Sequence, residues 1–152
     1  MRRFRFHLER VLRHRELLET LARRGLGEAL RVEQALAADL ERVRGRAAAE
    51  AAALRSALAH PLPGSEVLLH ARYAAGLAAR EAGLAHRRAE ASGVVAERRA
   101  ALRDRRRARE VVLNLREHAL ARHRREAEKE AQQQLDETAG TRHARRALGN
   151  LG

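Results

Sequence analysis

The chain has 152 residues, which is room for one domain of ordinary size. Ala, Glu, Lys, Leu and Arg supply 105 of them, whereas Ile and Cys are absent and aromatic residues make up 2%. This composition is typical of long helices, and it excludes a sheet protein, a disulfide framework and a thiolate metal site. The net charge of +12 indicates either an anionic partner or solvated helix faces in a protein with a genomic arginine bias, since 31 of the 32 basic residues are Arg.

The sequence contains no segment that we expect to enter or cross a membrane. It has no run of eighteen apolar residues, and a membrane-spanning helix needs about twenty. Residues 1–10 lack the apolar stretch of a secretory signal. We therefore expect a cytoplasmic protein, which the absence of Cys also favours.

One segment interrupts the helical composition. Residues 60–66 hold both prolines of the chain together with Gly64 and Ser65. Proline ends helices, and Ser65 is a suitable N-cap for a new helix with Glu66 in its first turn. The sequence therefore predicts a first helix over about residues 4–59, a turn over 60–65 and a second helix over about 66–139. Residues 147–152 are predicted to form a frayed tail.

The two predicted helices carry apolar stripes of different regularity. From Leu18 to Leu58 the first helix repeats its apolar residues at spacings of 3, 4 and 4, whereas the stretch before Leu18 follows a heptad. We expect the supercoil of the seam to change near Leu18. The stripe of the second helix is less regular, beside a line of Ala, and its members are Tyr73, Leu77, Leu84, Ala91, Val95 and Leu102. Because Ala buries little area, stability should depend on helix propensity.

A short turn between two long helices predicts an antiparallel pair. If the chain folds back near Leu62, residues pair when their numbers add to about 125, and Phe4 then lies near Ala121. Residues from about 122 to 139 have no partner in the chain under this pairing. The predicted fold is all-α: two long helices forming one antiparallel coiled-coil hairpin over residues 1–146, monomeric on its own.

The residue patterns that support catalysis or cofactor binding do not occur. The chain has no P-loop motif, Gly25-Leu26-Gly27 lacks the third glycine of a dinucleotide fingerprint, and the eight histidines form no metal-binding motif. Two paired helices also offer no cleft that excludes water. We therefore predict no enzyme activity, no catalytic residue, no metal, no cofactor and no small-molecule substrate.

The densest basic segment runs from Arg98 to Arg109. On a helix its arginines spread round the whole circumference, and no aromatic residue follows Tyr73 to stack on bases. A basic coiled-coil scaffold or a non-specific nucleic-acid-binding protein is an alternative on charge alone. Nucleic acid is not the partner that the sequence favours.

Both phenylalanines lie near the start of the chain, at Phe4 and Phe6. Two residues apart on a helix, they cannot share a face. Two interpretations stay open: a terminal staple that closes the hairpin, or an aromatic anchor for another protein.

Three motifs follow one another along the chain. An opening F-x-F-x-L-x-x-V-L pattern begins at Phe4 and is followed by Tyr73-Ala-Ala-Gly-Leu77 and Leu84, and then by Leu115-Arg116-Glu117-His118 and a polar pattern from Glu130 to Arg142. In this order and spacing, over about residues 2–146, the chain resembles the FliJ family of flagellar export proteins. It departs from the family pattern at Gly76, where a bulky residue is usual.

The resemblance implies a non-enzymatic stalk and adaptor of the flagellar type III export apparatus, similar to the central stalk of rotary ATPases. It implies three partners: the hexameric export ATPase FliI, the export gate protein FlhA and the export chaperones. It also implies a cytoplasmic location at the periphery of the inner-membrane export apparatus. The equivalent stalk protein of an injectisome is an alternative that the motifs leave open.

The ATPase ring is expected to bind the open end of the hairpin, where the phenylalanines, the unpaired part of the second helix and the densest family motif coincide. The residues expected in this contact are Phe4, Phe6, Leu8, Leu115, Arg122, Arg124, Arg125, Glu130, Asp136 and Arg142. The export gate is expected nearer the turn, at Tyr73, Leu77 and Leu84.

Overall fold

A computed structural model describes residues 4–149 of the chain, with side chains up to residue 142. Helix α1 spans Glu9–Ala57 and helix α2 spans Gly64–Gly149. Arg44 of α1 bonds Glu81 of α2, and Glu9 pairs with Arg116, so the numbers of both pairs add to 125. Residue numbers therefore decrease along α1 as those of the paired residues increase along α2, which confirms the predicted antiparallel coiled-coil hairpin.

The helix ends differ from the sequence prediction at three points. α1 begins at Glu9 instead of near Phe4, and its first turn is closed by the Glu9 amide donating to the Phe6 carbonyl at 3.2 Å. α2 begins at Gly64, where the Pro63 carbonyl accepts the Glu66 amide at 3.0 Å, so Pro63 takes the position expected of Ser65. α2 also runs past Ala139 to Gly149. Of the predicted frayed tail, residues 147–149 are helical and 150–152 lie outside the described residues.

The chain divides into two compact units, each built from one stretch of each helix. The turn unit is Glu19–Arg105, and the terminal unit takes in the described residues before and after it, 4–18 and 106–149. A single hairpin domain over residues 1–146 stays a prediction.

The turn unit has a small aliphatic core. Leu36, Leu40 and Val43 of α1 pack with Leu77 and Leu84 of α2, and Ala47 and Ala91 lie against them. Leu40 is the most deeply buried, at 2% exposure. Because few of these side chains are large, each turn of the helix pair removes little apolar area from water.

The buried positions of α1 follow a heptad, which corrects the predicted eleven-residue stripe. In the turn unit the seam positions alternate at spacings of 3 and 4: Glu19, Ala22, Leu26, Ala29, Glu33, Leu36, Leu40, Val43, Ala47, Glu50, Leu54 and Ala57 are buried or half-buried. Leu21 and Val32, members of the predicted stripe, are more than half exposed. In a left-handed coiled coil the positions that stay in contact have an average spacing of 3.5 residues, so polar residues in that register are buried in place of apolar residues outside it.

The terminal unit has its own core around the start of the chain. Phe6, Leu12 and Val112 are buried together, with Phe4, Leu8, Leu113 and Ala119 packed against them. Residues 4–6 precede the helix. The helical rule that residues two apart cannot share a face does not apply to them, and both phenylalanines join one core. The expectation that they would point to different faces was wrong because it assumed a helix.

Candidate partner-binding surfaces

The aromatic residues at the start of the chain mainly pack within the terminal unit. Phe6 is buried, and the Phe4 ring meets the His123 ring edge-on with a centroid distance of 5.6 Å. Leu8 is half-buried against the same core. The terminal staple is therefore the interpretation that the packing supports, and Phe4 retains only a half-exposed face for a partner.

A shallow groove of about 470 Å³ lies beside this staple. It is lined by Phe4, Arg5, Phe6, Glu9, Arg13 and Arg116. Glu9 lies 3.4 Å from Arg116 across the two helices. The groove thus has an aromatic wall and two arginines, Arg5 and Arg13, that have no ion pair among the described residues. Such a surface suits an acidic segment of a partner.

The last part of α2 is exposed on all sides. Every described side chain from residue 128 to residue 142 is exposed, whereas His123 and Ala127 before it are half-buried. We call this segment, residues 128–142, the tail helix. The sequence placed the start of the unpaired part at about residue 122, and the contact of His123 with Phe4 delays it by about two turns.

The predicted ring-contact residues on α2 are all exposed. Leu115 is about half exposed, and Arg122, Arg124, Arg125, Glu130 and Arg142 face solvent. Asp136 is also exposed and accepts a hydrogen bond from Gln132 at 2.9 Å. The structure therefore leaves these side chains free for a partner, in contrast to Phe6.

The three residues predicted to meet the export gate do not share one environment. Leu77 and Leu84 belong to the buried core of the turn unit, whereas Tyr73 is half exposed. A partner can reach only Tyr73 without opening the hairpin. Sequence reasoning missed the exposed apolar residues around the turn, which are Leu58, Val67, Leu68 and Leu69. Their signal was a run of apolar residues beside the two prolines, with no helical partner opposite.

Polar pairs replace apolar contacts at several seam positions. Glu19 is buried and accepts a hydrogen bond from Arg23 at 2.8 Å. Near the turn, the ring nitrogen Nδ1 of His70 meets the Glu50 carboxylate. Hydrogen bonds to Glu81 and then to Glu41 raise the pKa of Arg44 above its already high value. The Arg44–Glu81 and His70–Glu50 contacts thus join the two helices through polar groups in addition to the apolar core.

The described residues contain no group of three or more His, Asp or Glu side chains placed to hold a metal ion. In the part of the chain that the structure describes, no helix is long and apolar enough to cross a bilayer.

Comparison with known families agrees with this arrangement. Residues 4–148 match the family described as Flagellar FliJ protein. The chain belongs to the FliJ family. This membership makes the chain a component of the flagellar export apparatus. The matched residues include both helices of the hairpin. No protein of curated function and no solved structure matches the chain.

Proposed function

We propose that this FliJ-family chain is a non-enzymatic stalk and adaptor of the flagellar type III export apparatus. It binds and promotes the hexameric export ATPase FliI, and it links the ring to the export gate protein FlhA and to export chaperones. The observation that carries the proposal is the family match over residues 4–148. The exposed tail helix supports it, because a single helix fits a narrower opening than a helix pair does.

The ring contact is assigned to the tail helix and the arginines just before it. Arg122, Arg124 and Arg125 are exposed and precede an acidic stretch that includes Glu130 and Asp136. Solvent-exposed charges of both signs form contacts that exchange readily, since each pair is worth little on its own. A contact of this kind suits a stalk that must bind a ring without locking it. Leu115 and Arg142 lie at the two ends of this surface.

The gate contact is assigned to Tyr73, the one predicted gate residue that is accessible. Tyrosine presents a large apolar ring with a polar tip, a combination that is enriched at protein interfaces. The neighbouring exposed Leu69 extends the same apolar surface toward the turn. The working location is the cytoplasmic side of the export apparatus, in peripheral contact with the inner membrane.

The test measures ATP hydrolysis and ring assembly by the cognate export ATPase with and without the chain. Truncation after Ala127 removes the tail helix but keeps His123 and its contact with Phe4. We expect this variant to retain its helical hairpin and to lose stimulation of the ATPase. Charge reversal at Arg122, Arg124 and Arg125 is expected to give the same loss.

A matched control reverses Arg87, Arg99 and Arg103, which are also exposed on α2 and change the net charge equally. This control should stimulate the ATPase as the parent chain does. Full stimulation by the truncated chain, or an equal loss in the control, would contradict the assignment of the ring contact.

A further inference from the structure

One side of the turn unit carries a groove that is rich in arginine. The groove encloses about 250 Å³ and is lined by Asp39, Arg42, Val43, Arg46, Arg80 and Leu84. Val43 and Leu84 are buried core residues, so the floor is apolar. The rim is basic, with Arg42 and Arg46 from α1 and Arg80 from α2. We call this feature the basic groove.

The charges of the basic groove are not balanced. Asp39 is engaged by Arg42, which leaves Arg46 and Arg80 without an ion pair or hydrogen bond within residues 4–142. Elsewhere in the turn unit a cross-helix cation meets an anion, as Arg44 meets Glu81 at 2.8 Å. Two guanidinium groups that face one groove repel each other, and a carboxylate placed between them relieves this repulsion. The basic groove is therefore built for an acidic occupant.

The chain itself carries a segment with the matching chemistry. Residues 126–137 hold five acidic residues and one lysine. Glu126, Glu130 and Glu137 lie on one side of α2, because spacings of 4 and 7 return to the same helix face. All three are exposed and have no ion pair among the described residues. We call them the acidic face.

An apolar line runs beside the acidic face. Ala127, Ala131 and Leu135 recur every four residues, and Leu135 is 65% exposed. Small alanines let a helix approach another helix closely, so this line can pack on the apolar floor of a groove while neighbouring glutamates reach its rim. The acidic face and its apolar line thus complement the rim and the floor of the basic groove.

In place of the monomer that the sequence predicts, we propose that the chain associates with a second copy of itself, the acidic face of one copy docking in the basic groove of the other. The contact joins two different surfaces, and every copy carries both of them. Copies can therefore assemble as a pair or as an open chain. Tyr73 lies one heptad from Arg80 and hence on the same side of α2, and docking covers it. Self-association therefore hides both Tyr73 and Glu130, the contacts assigned to the gate and the ring. This consequence rests on the proposed function, whereas the docking itself does not.

The first experiment measures the mass of the full chain by sedimentation and light scattering over a range of concentrations. We expect the mass to rise above that of a monomer with concentration, and the association to weaken about tenfold between low and high salt, because salt screens exposed charges. The double variant R46E/R80E and the triple variant E126K/E130K/E137K are each expected to stay monomeric, since like charges then face each other. Circular dichroism checks that each variant keeps its helices.

The decisive experiment mixes the two variants. Each variant repels a second copy of itself. In the mixture, the native acidic face of R46E/R80E can dock in the native basic groove of E126K/E130K/E137K. The lysines of E126K/E130K/E137K can also dock in the glutamate-bearing groove of R46E/R80E. We expect the mixture to associate although neither component does. A control variant R24E/R55E reverses two exposed arginines away from the groove and should associate as the parent chain does.

Several outcomes would overturn the proposal. They are a parent chain that stays monomeric at every concentration in low salt, self-association that survives R46E/R80E, and a mixture that remains monomeric. No export component takes part in these measurements. They can therefore fail while stimulation of the ATPase is intact, and the reverse can also occur.

Discussion

At the scale of single residues, the glycines within the helices are the simplest feature to explain. Gly45 and Gly83 lie in helix interiors, and a Cβ atom built on either would meet nothing within 4 Å. Neither has a positive φ. At Gly25 the nearest atoms to such a Cβ belong to the Arg98 side chain at 4.0 Å, so no tight contact requires glycine there either. These glycines lower helix stability without a packing role in the hairpin.

Replacing such a glycine should therefore stabilise the protein. We expect Gly45→Ala and Gly83→Ala each to raise the free energy of unfolding by about 0.5–1 kcal/mol, because alanine loses less backbone entropy on forming a helix. Thermal unfolding followed by circular dichroism measures the gain.

Gly64→Ala serves as the control, because Gly64 is the first residue of α2 and not part of a helix interior. Its effect should be smaller. Destabilisation by Gly45→Ala would contradict this prediction. It would mean that Gly45 lies close to another molecule in solution.

At the scale of the helices, the register of the seam decides which apolar residues stabilise the hairpin. Two patterns can be compared along α1 after Leu18: the predicted eleven-residue stripe of apolar residues, and the heptad that the buried positions follow. The apolar content favours the first, but the packing follows the second and buries Glu19 while Leu21 and Val32 are exposed. A single helix cannot choose between these patterns, since the choice depends on which register the partner helix can follow.

Alanine substitutions distinguish the two registers. We expect Leu40→Ala to lower the free energy of unfolding by about 2–3 kcal/mol, because Leu40 is buried in the core of the turn unit. Leu21→Ala removes the same atoms from an exposed position and should cost less than about 0.5 kcal/mol. Urea unfolding of both variants tests this difference. Equal losses would support the eleven-residue stripe instead.

At the scale of the whole molecule, the two units expose different kinds of residue. In the turn unit the apolar residues beside the prolines are exposed, with Leu69 at 69%. In the terminal unit Phe6 is buried, Phe4 and Leu8 are half-buried, and the exposed residues of the tail helix are mostly polar. An apolar surface and a charged surface recognise partners of different chemistry.

The assignment of Tyr73 to the gate predicts a separation of binding from stability. We expect Tyr73→Ala to weaken binding to the cytoplasmic part of the export gate at least tenfold, with little change in the free energy of unfolding, because the ring is half exposed. Leu77→Ala should instead lower the free energy of unfolding by about 2 kcal/mol or more, since Leu77 is in the core.

Calorimetry for binding and urea unfolding for stability measure the two effects side by side. Unchanged gate binding by Tyr73→Ala would remove Tyr73 from the contact. A strong loss of stability in the same variant would show that the ring is buried in solution.

The sequence by itself determined the class of fold, the position of the turn and the antiparallel pairing. Composition and two prolines suffice for these, because helix propensity and chain breaks are local properties. The family motifs, from Phe4 onward, were also readable without a structure.

The tertiary structure decided which faces are buried. Phe6 and Leu77 appeared in the sequence as binding residues and lie in the cores of the two units. Glu19, a charged residue outside the predicted apolar stripe, is also buried. Burial depends on the partner helix and on the non-helical segment at residues 4–6, and neither is encoded in the periodicity of one helix. The facing arginines at Arg46 and Arg80 are likewise a product of pairing, since these residues are far apart in the chain and share a groove only after it folds back.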